Sequence, residues 1–334
     1  MTLTRPTAET ADASGPARRP GVGRAAAVLV LATLAVAIPL LGPSAALHET
    51  GEAAAPGTAG VALLRAVLFG ALCVPLGELL VRRLARSVPG APPNGPRSWA
   101  SYAAAGAVAA LGLAAVVATG NRVPHSLAQI DVGGLYASRD GKLALLEVNA
   151  FLVAGLCARS ARPAVQVWPL GAVVVAEALR AHPPAEHTAL VGSGLTLVHL
   201  VCAALWAGGL LHVLRTLRRW GPVEQGVALF GRYARVAAVL LAGVTATGVW
   251  SSLRRMPSGT VLTQLTDTAY GRTLLAKVLL VVVVAALALC ARLRLRRAPD
   301  PLAACVPARV EVAALGLVVV VSGLLTALPL PIRW

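Results

Sequence analysis

The sequence predicts an all-α, polytopic transmembrane helix bundle of about nine spans, or eight if the first is cleaved as a signal peptide. Three observations lead there. Of 334 residues, 57% are hydrophobic and 13% charged, with a mean hydropathy of +0.74, far outside the range of a soluble domain. Apolar windows of about 20 residues, the length that carries a helix across a ~30 Å hydrocarbon layer, recur along the whole chain. Between them, arginines collect in every second connection, the signature of loops held on the cytoplasmic side. The formal net charge of +16 is therefore topological. It points to anionic lipid head groups and excludes nucleic acid as a partner.

Residues 1–24 are polar, rich in Pro, Gly and Ala, and end in Arg18, Arg19 and Arg24, as expected of a disordered cytoplasmic leader. The first span, 25–46, ends in Ser44-Ala45-Ala46, which resembles a cleavage site. Its apolar run exceeds the roughly 7–15 residues of a signal-peptide core, so an uncleaved anchor is expected. Further spans are expected near 58–81, 99–119, 141–160, 163–181, 190–213, 230–252, 272–293 and 309–330.

The connections 82–98, 159–162, 214–235 and 292–309 hold Arg82, Arg86, Arg97, Arg162, Arg215, Arg232 and Arg297 among others, and should be cytoplasmic. The connections 47–57, 120–140, 182–189 and 253–271 hold His48, Glu52, His125, Asp131, His182, Glu186, His187 and Asp267, and should lie outside. The N-terminus is then inside and the C-terminus outside. A soft division separates a five-helix membrane half, 25–181, from a four-helix domain, 182–334.

Arg65, Glu78, Glu147, Glu177, Lys277 and Glu311 fall within or at the ends of expected spans. A lone charge in hydrocarbon is expensive, so each requires a partner or a route to water. Arg65 and Glu147, both in outer thirds, are expected to pair, and Lys277 to extend outward to the interface. Glu177 precedes His182 by about a turn and could offer an oxygen to the outer histidines.

The sixth span carries the most suggestive pattern. His199, Cys202, Trp206 and Gly209 fall at i, i+3, i+7 and i+10 and share one helical stripe, with Gly208 beside it allowing close backbone approach. Spacing alone leaves two readings open for His199, a buried hydrogen bond to a neighbouring helix or a metal ligand. Four of the six histidines lie in outer connections, and His212 reaches the cytoplasmic end of its helix beside Arg215, where head groups or a helix end are its expected contacts. The five cysteines, Cys73, Cys157, Cys202, Cys290 and Cys305, show no paired spacing and no disulfide framework. With no Walker motif, no HExxH and no Ser/His/Asp arrangement, neither an ATP-driven pump nor a hydrolase is expected, and the chain does not read as an enzyme.

Several motifs together resemble the copper resistance protein D family of bacterial inner-membrane proteins across residues 180–331. They are His199-x6-Trp206-x-Gly208-Gly209, the run Tyr270-Gly271-Arg272-x-Leu274-x-x-Lys277, and a final helix with Glu311 near its start. The family's actinobacterial branch has two histidines upstream of the first motif, and His182 and His187 fit those places. The resemblance implies a multi-pass protein of the bacterial cytoplasmic membrane that handles copper ions, moving them inward or supplying them to cuproenzyme assembly. Its implied partners are copper ion, membrane lipids, and an extracytoplasmic copper carrier or oxidase-assembly protein. The metal ligands would be His182, His187 and His199 at the outer mouth, with Cys202 one turn deeper and Met256 a looser candidate. Imidazole suits both copper oxidation states and thiolate favours Cu(I). Trp206, Gly208, Gly209, Tyr270, Lys277 and Glu177 would support the site. The competing readings are a copper-binding assembly factor for a respiratory oxidase without transport, and a haem-binding electron-transfer protein with two intramembrane histidine ligands.

Overall fold

The computed structural model describes residues 21–329, apart from residues 54, 121, 125, 185, 187, 222–223, 257–258 and 298–300. The expected leader, His125 and His187 thus fall largely or wholly outside the described residues. Every regular element among those described is helical. In chain order they are α1 (Gly21–Leu47), α2 (Thr58–Arg86), α3 (Ser101–Ala118), α4 (Val132–Ala137), α5 (Arg139–Arg159), α6 (Val167–Arg180), α7 (Ala189–Trp220), α8 (Glu224–Arg255), α9 (Val261–Asp267), α10 (Ala269–Arg297) and α11 (Pro301–Leu325).

Eight of these are long and apolar enough to cross a membrane. The fifth expected span is the exception, and the reason is local. Pro163 fixes its own φ and lacks an N–H, and residues Pro163–Gln166 form a 3-10 turn that leaves α6 only 14 residues. Turn and helix together still rise about 29 Å, close to the hydrocarbon thickness. Their contacts lie at opposite ends of the bundle. Gln166 accepts the Tyr102 hydroxyl at 2.5 Å beside the start of α3, while the Leu179 carbonyl accepts from Arg139 at 2.9 Å at the start of α5.

The connections expected on a common side do meet. At one end Arg215 donates to the Arg97 carbonyl at 2.6 Å and Arg232 donates to Ser87. At the other, Arg272 donates to the His48 carbonyl at 2.7 Å, and the Ala269 N–H donates to Glu52 at 3.0 Å. Large apolar side chains such as Val108, Trp168, Val239 and Val282 are exposed on the outside of the bundle, where hydrocarbon would cover them.

α2 is the centre of the fold, packed on α7, α3, α11 and α1. It bridges the two sequence halves, because its contacts with α7 and α11 reach into the second. One buried cluster gathers Leu68, Phe69, Leu72, Phe151, Leu170 and Val173 from α2, α5 and α6. Another gathers Trp206, Leu210, Leu229, Phe230, Tyr233 and Leu240 from α7 and α8.

The buried charges pair differently from expectation. Arg65 binds Glu177, Arg180 bridges Glu177 at 3.1 Å and Glu147 at 3.0 Å, and no Arg65–Glu147 pair forms. The cause is layering: α6 packs against both α5 and α2, and Arg180 sits three residues after Glu177 on its last turn. Glu78, at the other end, pairs with Arg82 at 2.6 Å and accepts the Ser98 hydroxyl at 3.0 Å.

Candidate functional site

The stripe on α7 is the seam with α8. His199 Nδ1 lies 3.0 Å from the Thr247 hydroxyl, and the Trp206 carbonyl accepts the Tyr233 hydroxyl at 2.6 Å. Cys202 lies against Gly243, where an added Cβ would come within 2.9 Å of its sulfur, and Gly209 gives way to the Tyr233 ring at 2.6 Å. Gly208 faces the opposite side. A Cβ there would overlap the Cys73 carbonyl of α2, which is why only glycine lets the two backbones touch.

The hydrogen bonding selects a tautomer for His199. The Thr247 hydroxyl lies 2.6 Å from the Gly243 carbonyl, to which it donates its single proton, so it must accept from His199 Nδ1–H. The Nε2 lone pair is then the free acceptor of the ring, the form in which imidazole binds metal. His199 lines a cavity of about 200 Å³ enclosed by α2, α7, α8, α10 and α11. Its walls carry Thr196, Ser252, Arg255, Tyr270, Lys277 and Ser322 among apolar side chains.

His182 lies in the connection between α6 and α7. It is buried, with Nδ1 2.6 Å from Glu186 and Nε2 3.0 Å from the Thr196 hydroxyl. Glu186 can only accept while ionised, so Nδ1 donates and Nε2 accepts from Thr196. Burial pushes this imidazole below its ordinary pKa of 6.5, outweighing the opposing pull of Glu186. Glu186 is held in turn by Arg254 at 3.2 Å. Thr196, one turn before His199, lines the same cavity and links His182 to it through its hydroxyl.

The remaining candidates separate. Cys202 packs on α8 and is not among the cavity walls. Met256 is fully buried in a small core with Tyr270 and Leu325. Glu177 is occupied by Arg65 and Arg180, away from the histidines. Lys277 turns to the cavity instead of extending outward. His212 is buried, with Nδ1 3.3 Å from Arg215 and its ring beside Trp99, over which Arg215 stacks at 3.8 Å. The head-group contact expected for His212 is replaced by this packing, because the 97–99 segment folds over the end of α7. Among the described residues no three His, Cys, Asp or Glu side chains converge to hold a metal ion.

Thr196, Thr247, Arg254 and Arg255 were missed at the sequence level. Arg254 and Arg255 did leave a signal, since they sit in a connection expected outside, where the charge pattern should be poor in arginine. Each has an internal partner: Arg254 donates to Thr188 at 2.7 Å as well as to Glu186, and Arg255 donates to the Tyr270 hydroxyl at 3.0 Å.

A second, deeper cavity of about 150 Å³ continues along the same seam, with Tyr233, Leu289 and Glu311 in its walls. Trp206 lines both cavities and stands between them. At the far end an open cleft of about 1020 Å³ is lined by Glu78, Arg82, Arg86, Arg162 and His212.

A bundle of apolar helices with internal cavities stacked along a seam is a multi-pass membrane protein. Residues 227–328 match the model of a family described as copper resistance protein D, the family that the sequence motifs resemble. The match spans α8 to α11, which supply Arg255, Tyr270, Lys277 and Glu311, while His182, His187, His199 and Cys202 precede it. No curated protein and no solved structure matches the chain.

Proposed function

We propose that this protein handles copper ions in the bacterial cytoplasmic membrane, accepting them at the outer mouth and passing them inward between α7–α8 and α10–α11. The observation that carries the reading is the position of His199. Its side chain, in the tautomer that leaves Nε2 open, lines a cavity built largely by the family-matching helices. The second cavity beyond Trp206, with Glu311 in its wall, supplies a continuation.

His199 is the central ligand in this proposal, with His182 and His187 as further ligands. Cys202, one turn along α7, is the next donor and would have to turn from Gly243 to reach an ion. His182 Nε2 would exchange the Thr196 hydroxyl for the ion, while Glu186 keeps the ring oriented from Nδ1. Trp206 and Gly209 hold the seam closed below, Gly208 lets α7 close on α2, and Tyr270 and Lys277 shape the cavity. An extracytoplasmic copper carrier or oxidase-assembly protein would deliver or receive the ion.

The test is copper binding by purified protein and copper uptake into proteoliposomes, for the wild type and for His182→Ala, His187→Ala, His199→Ala and Cys202→Ala. His199→Ala is expected to weaken binding at least about tenfold and to abolish uptake, as loss of one ligand from a few does. Unchanged affinity and uptake in all four variants would refute the outer-mouth site. Binding that depends on His199 without any uptake would favour the assembly-factor reading, and a Soret band in the purified protein would favour haem.

A further inference from the structure

The outer cavity has two positive charges in its walls and no negative one. Lys277 of α10 and Arg255 at the end of α8 both line it, and no Asp or Glu does among the described residues. The two cations lie within electrostatic reach of each other, and Lys277 also acts on His199. Three acids at this end of the bundle are engaged elsewhere, Glu52 as acceptor of the Ala269 N–H. Glu186 is bound by Arg254 and His182, and Glu177 by Arg65 and Arg180. Among the described residues neither Lys277 nor Arg255 forms an ion pair.

Arg255 is nonetheless held in place. One guanidinium nitrogen donates to the Tyr270 oxygen at 3.0 Å and the group lies over the Tyr270 ring at 6.0 Å. A phenol that accepts from Arg255 keeps its own proton free to donate. Thr196, Ser252 and Ser322 add hydroxyls whose protons already go to His182 Nε2 and to the Gly248 and Val318 carbonyls, and Leu72, Leu200, Leu274 and Val318 make the rest of the wall apolar. α8 and α10 flank the cavity but do not pack closely on each other, which leaves a seam between them. A held guanidinium and a second cation without an ion pair, beside a hydroxyl donor in a space of about 200 Å³, form a receptor for negative charge.

We propose that this cavity binds an oxyanion, a carboxylate or phosphate, between Lys277 and Arg255, with the Tyr270 hydroxyl as a further donor. The group arrives either as a small free anion through the outer mouth or as the head group of an acidic amphiphile through the α8–α10 seam. The site goes beyond copper handling and does not require it. Where copper is also bound at His199, the anion cancels the like charges that the metal would otherwise meet.

The test uses the full chain in neutral detergent with a metal chelator present, so that its outcome is independent of copper. Thermal unfolding is followed by tryptophan fluorescence during titration with inorganic phosphate, dodecyl phosphate and dodecanol. A saturable rise in midpoint with an anionic probe, absent with dodecanol, is expected. Inorganic phosphate acting alone assigns a free anion, and protection by dodecyl phosphate only assigns an amphiphile head group. Lys277→Gln and Arg255→Gln are each expected to weaken the apparent affinity by about tenfold, the loss of one charge-assisted hydrogen bond. Lys277→Met removes the uncompensated charge, is expected to fold at least as well as the wild type, and reads the same loss if the Gln variant does not fold. Equal effects of dodecanol and dodecyl phosphate, no response to either anion, or unchanged affinity in Lys277→Met would overturn the proposal.

Discussion

Replacing Gly208 by alanine would place a methyl group on the backbone of α2. The new Cβ would overlap the Cys73 carbonyl oxygen, lie 2.7 Å from the Cys73 carbonyl carbon and stand 3.1 Å from Gly77 Cα, where ordinary contact begins at 3.4 Å. Neither neighbour is a flexible side chain, so α2 and α7 must separate by an ångström or more. A gap of that size forfeits about a quarter to a half of each lost contact, and on the order of 30 atom pairs at ~0.1–0.2 kcal/mol each gives about 1–2 kcal/mol. Strain in the displaced helices adds about 1–3 kcal/mol, and the better helix propensity of alanine returns about 0.5–1 kcal/mol. The expected net loss is about 2–4 kcal/mol. It is measured by SDS titration of the purified protein in mixed micelles, followed by tryptophan fluorescence, with Gly231→Ala as control. Gly231 also sits within a helix but has nothing within 4 Å of its added Cβ, so its variant should gain up to about 1 kcal/mol. If Gly208→Ala matches Gly231→Ala, the close crossing of α2 and α7 is not what holds this bundle together.

Further outcomes are expected elsewhere in the bundle. Arg180→Ala strands Glu147 and Glu177 with Arg65 alone and should cost about 3–5 kcal/mol in the same titration; adding Glu147→Gln should recover part of that, and no recovery would contradict the bridging role of Arg180. His182 has a folded pKa below its ordinary 6.5, so the unfolded chain binds more protons in that window, and stability is complete above 6.5 and declines as pH falls beneath it. Thermal midpoints of wild type and His182→Gln between about pH 8 and 5 test this, and a wild type that gains stability over the variant on acidification would reverse the sign. Tyr233→Phe removes a buried 2.6 Å hydrogen bond to the Trp206 carbonyl and should cost about 1 kcal/mol, read as a lowered midpoint. Arg254→Ala releases Glu186 and Thr188 and should speed amide exchange in the 182–188 segment, while exchange in α2 stays as in the wild type.

The near-site residues show where sequence reasoning stopped. The α7 stripe was readable because four residues of one helix share a face whatever surrounds them, and the stripe does form the seam with α8. Its meaning was not readable, since the same face could oppose a metal, a hydroxyl or lipid until Thr247 was placed against His199. Lys277 illustrates the same gap. Its depth in the span is a matter of counting, but whether it extends to the interface or turns to the cavity depends on the rotation of α10 against α11. The wrong partner for Arg65 follows from layering, because depth alone made Glu147 eligible and the intervening α6 made Glu177 adjacent.

Crossing the membrane is a local property, set by runs of about 20 apolar residues and by arginines in the connections. The sequence therefore determined the helical class, the approximate spans and the grouping of loops at the two ends, and residues 227–328 were enough to match a family model. Partner choice is not local. Which helices lie side by side, and how each is turned about its axis, decided that Arg180 bridges two acids, that His182 already has a partner on each ring nitrogen, and that Lys277 and Arg255 share one cavity. Hydrocarbon makes every unpaired polar group costly, so these contacts matter as much to the protein as its hydropathy, yet only the packed bundle brings them together.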